Sequence, residues 1–139
     1  MSIDSCNINF SGIYAVHLNQ MSGDVQFNNN TISNSLNNAV SISSKLKDSY
    51  CTIRNNTITN TGMIAGMSGS GDGNCNALGI TSENGAIIEY NTIKNTGYIP
   101  LNFNGNNILI KNNVIDNYSF IKLITFSATE KGNPDPHRL

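Results

Sequence analysis

The chain has 139 residues, a net charge of −1 and only 12% charged residues, against 25 asparagines and 18 isoleucines. That length suits one domain, and a near-neutral chain without a Lys/Arg run is a poor binder of nucleic acid or anionic membranes. It carries no apolar stretch long enough to span a bilayer and opens on no signal peptide, so membrane insertion is not expected. Asparagine favours turns and tolerates left-handed backbone, while isoleucine favours strands. The composition therefore predicts many short strands joined by tight corners.

Strict apolar–polar alternation marks short half-buried strands. Along the chain they come in three kinds. After CNINFSG (6–12), a first kind begins with Val16 and Leu18 as its inward pair. Its later copies carry Val40 and Ile42, Leu78 and Ile80, then Leu101 and Phe103. The second kind carries Val25 and Phe27, Cys51 and Ile53, Ala86 and Ile88, then Ile108 and Ile110. The third kind lies in near-copies of one motif: NNNTISNS (28–35), RNNTITNTG (54–62), EYNTIKNTG (89–97) and KNNVIDNYS (111–119). Its isoleucines, Ile32, Ile58, Ile93 and Ile115, are 26, 35 and 22 residues apart, and Ile8 precedes them by 24. A period this short suits one turn of a β-solenoid better than a helix pair.

The expected fold is all-β: a right-handed parallel β-helix of about four to five coils with three short strands per coil. The hand follows from the strong preference of parallel crossovers. It would occupy residues 1–127, with the N-terminus entering at a third-strand corner. The 35-residue step holds a Gly-rich insertion, GMIAGMSGSGDGNCN (62–76), expected to overhang the first strands. Residues 128–139, with Pro134 and Pro136, read as an irregular tail. Cys6, Cys51 and Cys75 are odd in number and fit no metal spacing, so they read as free thiols with Cys51 in the core.

The recurring asparagines belong to the corner between second and third strands. One residue there must adopt an unusual backbone, which asparagine does cheaply. Amides stacked from coil to coil would also satisfy buried polar groups. Either Asn30, Asn56, Asn91 and Asn113 or their neighbours Asn29, Asn55 and Asn112 point inward; the first set is preferred. A second row, Asn34, Asn60, Asn95 and Asn117, is expected to close the third strands in the same way.

On these motifs the chain resembles the right-handed parallel β-helix repeat proteins. These include pectate-lyase-like polysaccharide lyases, many glycoside hydrolases, periplasmic NosD-like proteins and phage tailspikes. The resemblance covers roughly residues 5–126. It implies association with carbohydrate, with the polysaccharide lying across the first-strand face. It also implies an extracellular, periplasmic or cell-surface location. Some members carry an acidic, glycine-rich stretch on the next first strand, where this chain has Leu123, Ile124 and Thr125 after Lys122.

Alternation places His17, Asn19, Ser41, Ser43, Gly79, Thr81, Asn102, Asn104 and Lys122 on the outward side of the first strands. These, with Asp72 from the insertion, are the candidate sugar contacts. The strip carries no carboxylate, whereas glycoside hydrolysis normally uses two. Calcium-assisted lysis needs clustered oxygen ligands. His17 is the candidate base near neutral pH, and Lys122 a candidate lyase base if burial lowered its pKa. No cofactor is expected; calcium is the one ion that GSGDGN brings to mind, and its spacing fits no established loop. Arg54, Glu89 and Lys111 are expected to form an exposed charge ladder, with Lys94 and Asp116 paired nearby.

The function expected is polysaccharide binding by part of a longer β-helix, without a complete active site of its own. The alternatives are a lyase or glycoside hydrolase, and a structural or adhesive solenoid. Ice binding is disfavoured, since no flat T-x-T ladder is visible. Open end coils would also permit end-to-end self-association.

Overall fold

The computed structural model describes residues 1–44, 49–62, 76–97 and 99–116, and the backbone of 124–127. Fifteen strands follow one another in five rungs of three. The first rung is β1 (Ser2–Asp4), β2 (Asn7–Asn9) and β3 (Tyr14–Leu18). The second is β4 (Val25–Asn28), β5 (Thr31–Ser35) and β6 (Asn38–Ser44). The third is β7 (Cys51–Arg54), β8 (Thr57–Thr61) and β9 (Asn76–Ser82). The fourth is β10 (Ala86–Glu89), β11 (Thr92–Thr96) and β12 (Ile99–Gly105). The fifth is β13 (Ile108–Lys111), β14 (Val114–Asp116) and β15 (Ile124–Ser127).

Each rung gives one strand to each of three five-stranded parallel sheets. The sheet orders are β3-β6-β9-β12-β15, β1-β4-β7-β10-β13 and β2-β5-β8-β11-β14, holding the first, second and third kinds of strand. The molecule is a parallel β-solenoid. Residues 63–75 of the insertion, with Asp72 and Cys75, lie outside the described residues, as do Asn117, Lys122 and the tail.

Register follows the isoleucines. Ile8, Ile32, Ile58, Ile93 and Ile115 pair in one column through successive third strands. Ile32, Ile58 and Ile93 are wholly buried. The second strands add Val25 and Phe27, Cys51 and Ile53, Ala86 and Ile88 to the same core, and the first add Val40, Ile42, Leu78 and Leu101. A one-residue slip would turn each of these sets outward, so burial fixes the register. Burying one large aliphatic side chain contributes about 1.5–3 kcal/mol, which is why the third-strand motif recurs with so little variation. Burial pushes the Cys51 thiol above its ordinary pKa, and Cys6 and Cys51 are both free.

β1 departs from the expected entry at a third-strand corner. Ser2–Asp4 pairs with Gln26–Asn28 of β4, which sets Ile3 beside Phe27. A single isoleucine in a three-residue strand gives no alternation to read, so this strand left no periodic mark.

The corner between second and third strands separates two tasks. The left-handed residue is the first of the corner: Ser5, Asn29, Asn55, Tyr90 and Asn112 have φ between 54° and 57°. The next residue sends its side chain inward. Asn30, Asn56 and Asn91 are each 1% exposed. Asn30 Nδ2 donates to Asn56 Oδ1 at 3.0 Å, Asn56 Nδ2 to Asn91 Oδ1 at 2.9 Å, and Asn91 Nδ2 to Asn113 Oδ1 at 2.9 Å. The second hydrogen of each amide goes to a backbone carbonyl one rung back, from Asn30 to Ile3, Asn56 to Phe27, Asn91 to Ile53 and Asn113 to Ile88. The backbone N–H groups of Asn30, Asn56 and Asn91 donate to the next rung's Oδ1 as well. The Asn56 and Asn91 amides, flanked on both sides, thus each make four hydrogen bonds, their full capacity. Cys6 takes this position in the first rung, and its N–H donates to Asn30 Oδ1 at 3.0 Å.

The second asparagine row differs from the first. Asn34, Asn60 and Asn95 are themselves left-handed, with φ of 57°, 55° and 53°. Asn60 and Asn95 are exposed and Asn34 half-buried. Their amides bond only each other, Asn60 to Asn34 at 3.2 Å and Asn95 to Asn60 at 3.3 Å, with Asn34 ending the row on Asn9 at 2.7 Å. This is an outer ladder, chosen for backbone conformation, and it closes no buried corner. Phe10 holds the same left-handed conformation in the first rung, at φ 57°.

Candidate functional site

The outward residues of the first-strand sheet form two parallel rails. In one, His17 pairs with Ser41, Ser41 with Gly79, Gly79 with Asn102 and Asn102 with Thr125. In the other, Ser43 pairs with Thr81, Thr81 with Asn104 and Asn104 with Ser127. Successive rungs of a sheet stand about 4.8 Å apart, and residues two apart on a strand about 6.7 Å. The face therefore offers a regular grid of hydroxyls and amides. Backbone register continues the two rows with Thr125 and Ser127; Lys122, expected at the last place, lies outside the described residues.

Between the rails the surface sinks into a groove of about 290 Å³. Ser41, Ser43, Thr81, Asn102 and Asn104 line it, as do Gly79 and Asn76. Gly79 makes the floor low because it carries no side chain. A Cβ built there would meet Asn76 Nδ2 and the Val40 carbonyl at 3.7 Å, ordinary contact distances. A Cβ is therefore accommodated at this point, and a longer side chain built from it would project from the groove floor. Asn76 is 6% exposed, and its N–H donates to Asn38 Oδ1 at 2.6 Å. By sequence it is a candidate contact of the insertion together with Asp72 and Asn74; of the three it alone is among the described residues, at the start of β9. The following residue, Ala77, and its partner position Ala39 are wholly buried although they have outward parity. The face is thus covered where its strands begin and open where the rails run.

The structure does not gather every candidate here. His17 is exposed in the first rung and lies outside the groove lining. Its ring packs 4.5 Å from that of Tyr14, tilted by 35°. Asn19 falls just past the end of β3 and is exposed. Asp72 and Lys122 lie outside the described residues. Among the described residues, no group of three or more His, Cys, Asp or Glu side chains is placed to hold a metal ion.

Charge is concentrated on the other two sheets. Arg54, Glu89 and Lys111 pair in register on the second-strand sheet. Glu89 Oε1 lies 2.5 Å from Arg54 Nε and Oε2 lies 3.1 Å from Lys111 Nζ. The Arg54 contact is a close charge pair rather than a well-directed hydrogen bond. The expectation of an exposed ladder needs correction at its centre: the Glu89 side chain is only 7% exposed, whereas Arg54 and Lys111 are 42% and 48% exposed. Two long cationic stems cover the carboxylate from either side. Glu89→Gln is expected to cost about 1–2 kcal/mol, since it breaks a half-buried pair rather than a surface one. Denaturant unfolding at low and high salt checks this, with the gap narrowing as salt screens the cations. Lys94 and Asp116 make a looser exposed pair at 3.9 Å.

These features define a class: a parallel β-solenoid that, among the described residues, has one grooved polar face without charged side chains in its groove and ion pairs on the other two. No protein-family model, no curated protein and no solved structure matches the chain.

Proposed function

We propose that this chain is a carbohydrate-binding stretch of a longer parallel β-helix protein, acting outside the cytoplasm and holding an extended polysaccharide without a complete active site of its own. The resemblance of its repeats to the pectate-lyase-like and NosD-like β-helix proteins agrees with this. Fold alone does not fix function, so the weight rests on one observation: the paired rails of Ser41, Asn102, Ser43, Thr81 and Asn104 along a groove that crosses the strands. A ligand lying there runs along the solenoid axis and meets at least one hydroxyl or amide at each of the second, third and fourth rungs. Sugar hydroxyls, which repeat along a glycan, suit such a lattice of donors and acceptors.

Reading the groove as the active site of a lyase or glycoside hydrolase has less support, because its lining among the described residues includes no acid and no base. A glycan array probed with the labelled chain tests the proposal. Binding to at least one extended polysaccharide is expected, with no new reducing ends and no double-bond absorbance on prolonged incubation. A blank array would favour a structural or adhesive solenoid, and turnover would favour the enzyme.

A further inference from the structure

We infer that the ligand of this groove is an uncharged glycan, bound without a bridging divalent cation. The inference rests on the carbohydrate reading above and narrows it.

It starts from the chemistry of the lining. Every lining residue among the described ones is neutral. A Ser or Thr hydroxyl both donates and accepts, and an Asn amide does the same through separate atoms. A sugar hydroxyl has the same dual character, so each contact with the rails can be made in either direction. A uronate carboxylate only accepts. Drawn onto this floor, it loses water and gains no cation, and an incompletely compensated charge is costly to bury.

The placement of charge points the same way. The cations Arg54 and Lys111 are on the second-strand sheet and are already engaged by Glu89. Lys94 is on the third-strand sheet with Asp116. His17 heads one rail but stands outside the groove. Glu83 follows directly after β9, two residues beyond Thr81, and is exposed. Its carboxylate, beside the Thr81 position of that rail, repels an acidic ligand and leaves a neutral one unaffected.

Calorimetric titration of the full chain tests this. The probes are neutral oligosaccharides of glucose, xylose and mannose, and oligomers of galacturonate and mannuronate, each in calcium and in EDTA. At least one neutral series is expected to bind about tenfold or more tighter than any uronate. Its affinity is expected to be the same in both buffers. Gly79→Tyr, which fills the groove floor, is expected to weaken that binding by about tenfold or more while the melting temperature stays unchanged. A preference for uronates, or a calcium requirement, overturns the inference and leaves the carbohydrate reading standing. Undiminished binding by Gly79→Tyr places the ligand elsewhere and overturns the inference. Silence across the whole panel overturns the carbohydrate reading itself.

Discussion

Asn56→Ala is expected to lower stability by about 3 kcal/mol or more, one of the largest single effects in the molecule. The substitution removes an acceptor that takes two hydrogen bonds, from Asn30 N and Asn30 Nδ2. It also removes two donors, to the Phe27 carbonyl and to Asn91 Oδ1. Alanine leaves the Asn30 N–H and one Asn30 amide hydrogen without their acceptor and takes one donor each from the Phe27 carbonyl and from Asn91 Oδ1, which keeps the Asn56 N–H; a buried polar group left unsatisfied costs about 1–3 kcal/mol before any relaxation. Asn56→Asp sharpens the test. A carboxylate still accepts from Asn30 but faces the oxygens of Asn91 and Phe27. The buried site therefore favours its protonated form, so its folded pKa lies above the unfolded value. Folded protein then binds more protons, and the variant loses stability as pH rises through the carboxyl range. Asn60→Ala is the control. It lies in the outer ladder, exposed at φ 55°, and is expected to cost about 1 kcal/mol for the left-handed backbone. Urea unfolding of the three variants measures the contrast. Equal losses at positions 56 and 60 would contradict a buried amide ladder.

Gly105→Ala carries the other large effect. Gly105 ends β12 in register with Ser82 of β9, at φ +135°. A Cβ there would lie 1.8 Å from the Ser82 carbonyl oxygen and 2.7 Å from its carbon. Both are backbone atoms, so no rotamer change relieves the clash. Either the chain leaves this unusual region of backbone space or two rungs separate locally. A loss of about 3–5 kcal/mol is expected, enough to lower the melting temperature by about 10 °C or more or to prevent accumulation of folded protein. Gly79→Ala, with its nearest contacts at 3.7 Å, is expected to be neutral within about 0.5 kcal/mol. Thermal unfolding of the pair isolates the effect of rung-to-rung contact from glycine content. Equal tolerance at the two positions would mean that the rungs are not packed as described.

The architecture was legible because burial and register imposed the same period on many residues at once. Ile32, Ile58, Ile93 and Ile115 had to align, since any other register exposes them. The asparagines were harder to divide. In a run such as Asn28-Asn29-Asn30, identical side chains take three roles: Asn29 is left-handed, Asn30 is an internal rung, and Asn28 ends a strand. Only Tyr90 and Ser5 in the equivalent position of other rungs betray that Asn29 is selected for backbone and not for its amide. The site was legible by halves. Alternation put Ser41, Ser43, Thr81, Asn102 and Asn104 on one face. It carried no information about depth, which comes from the missing side chain of Gly79 and from Asn76 at the groove edge. Glu89 looked exposed because its parity is outward. Its burial comes from Arg54 and Lys111 lying over it, a contact between residues 35 and 22 positions away.

The inner amide row has a direction. Asn30, Asn56 and Asn91 each donate one Nδ2 hydrogen to the higher-numbered amide, and the Oδ1 atoms of Asn56, Asn91 and Asn113 receive it from the lower. Their dipoles align and polarise one another, as in any chain of hydrogen bonds. The column is therefore a vector, and its two extremities are chemically unlike. One terminates at a thiol-bearing residue, Cys6, that has no amide to contribute; at the other, Asn113 turns a spare N–H onto the Lys111 carbonyl. Any unit stacked on this column by the same rule must arrive with matching polarity, so assembly through the ladder is possible in one orientation only.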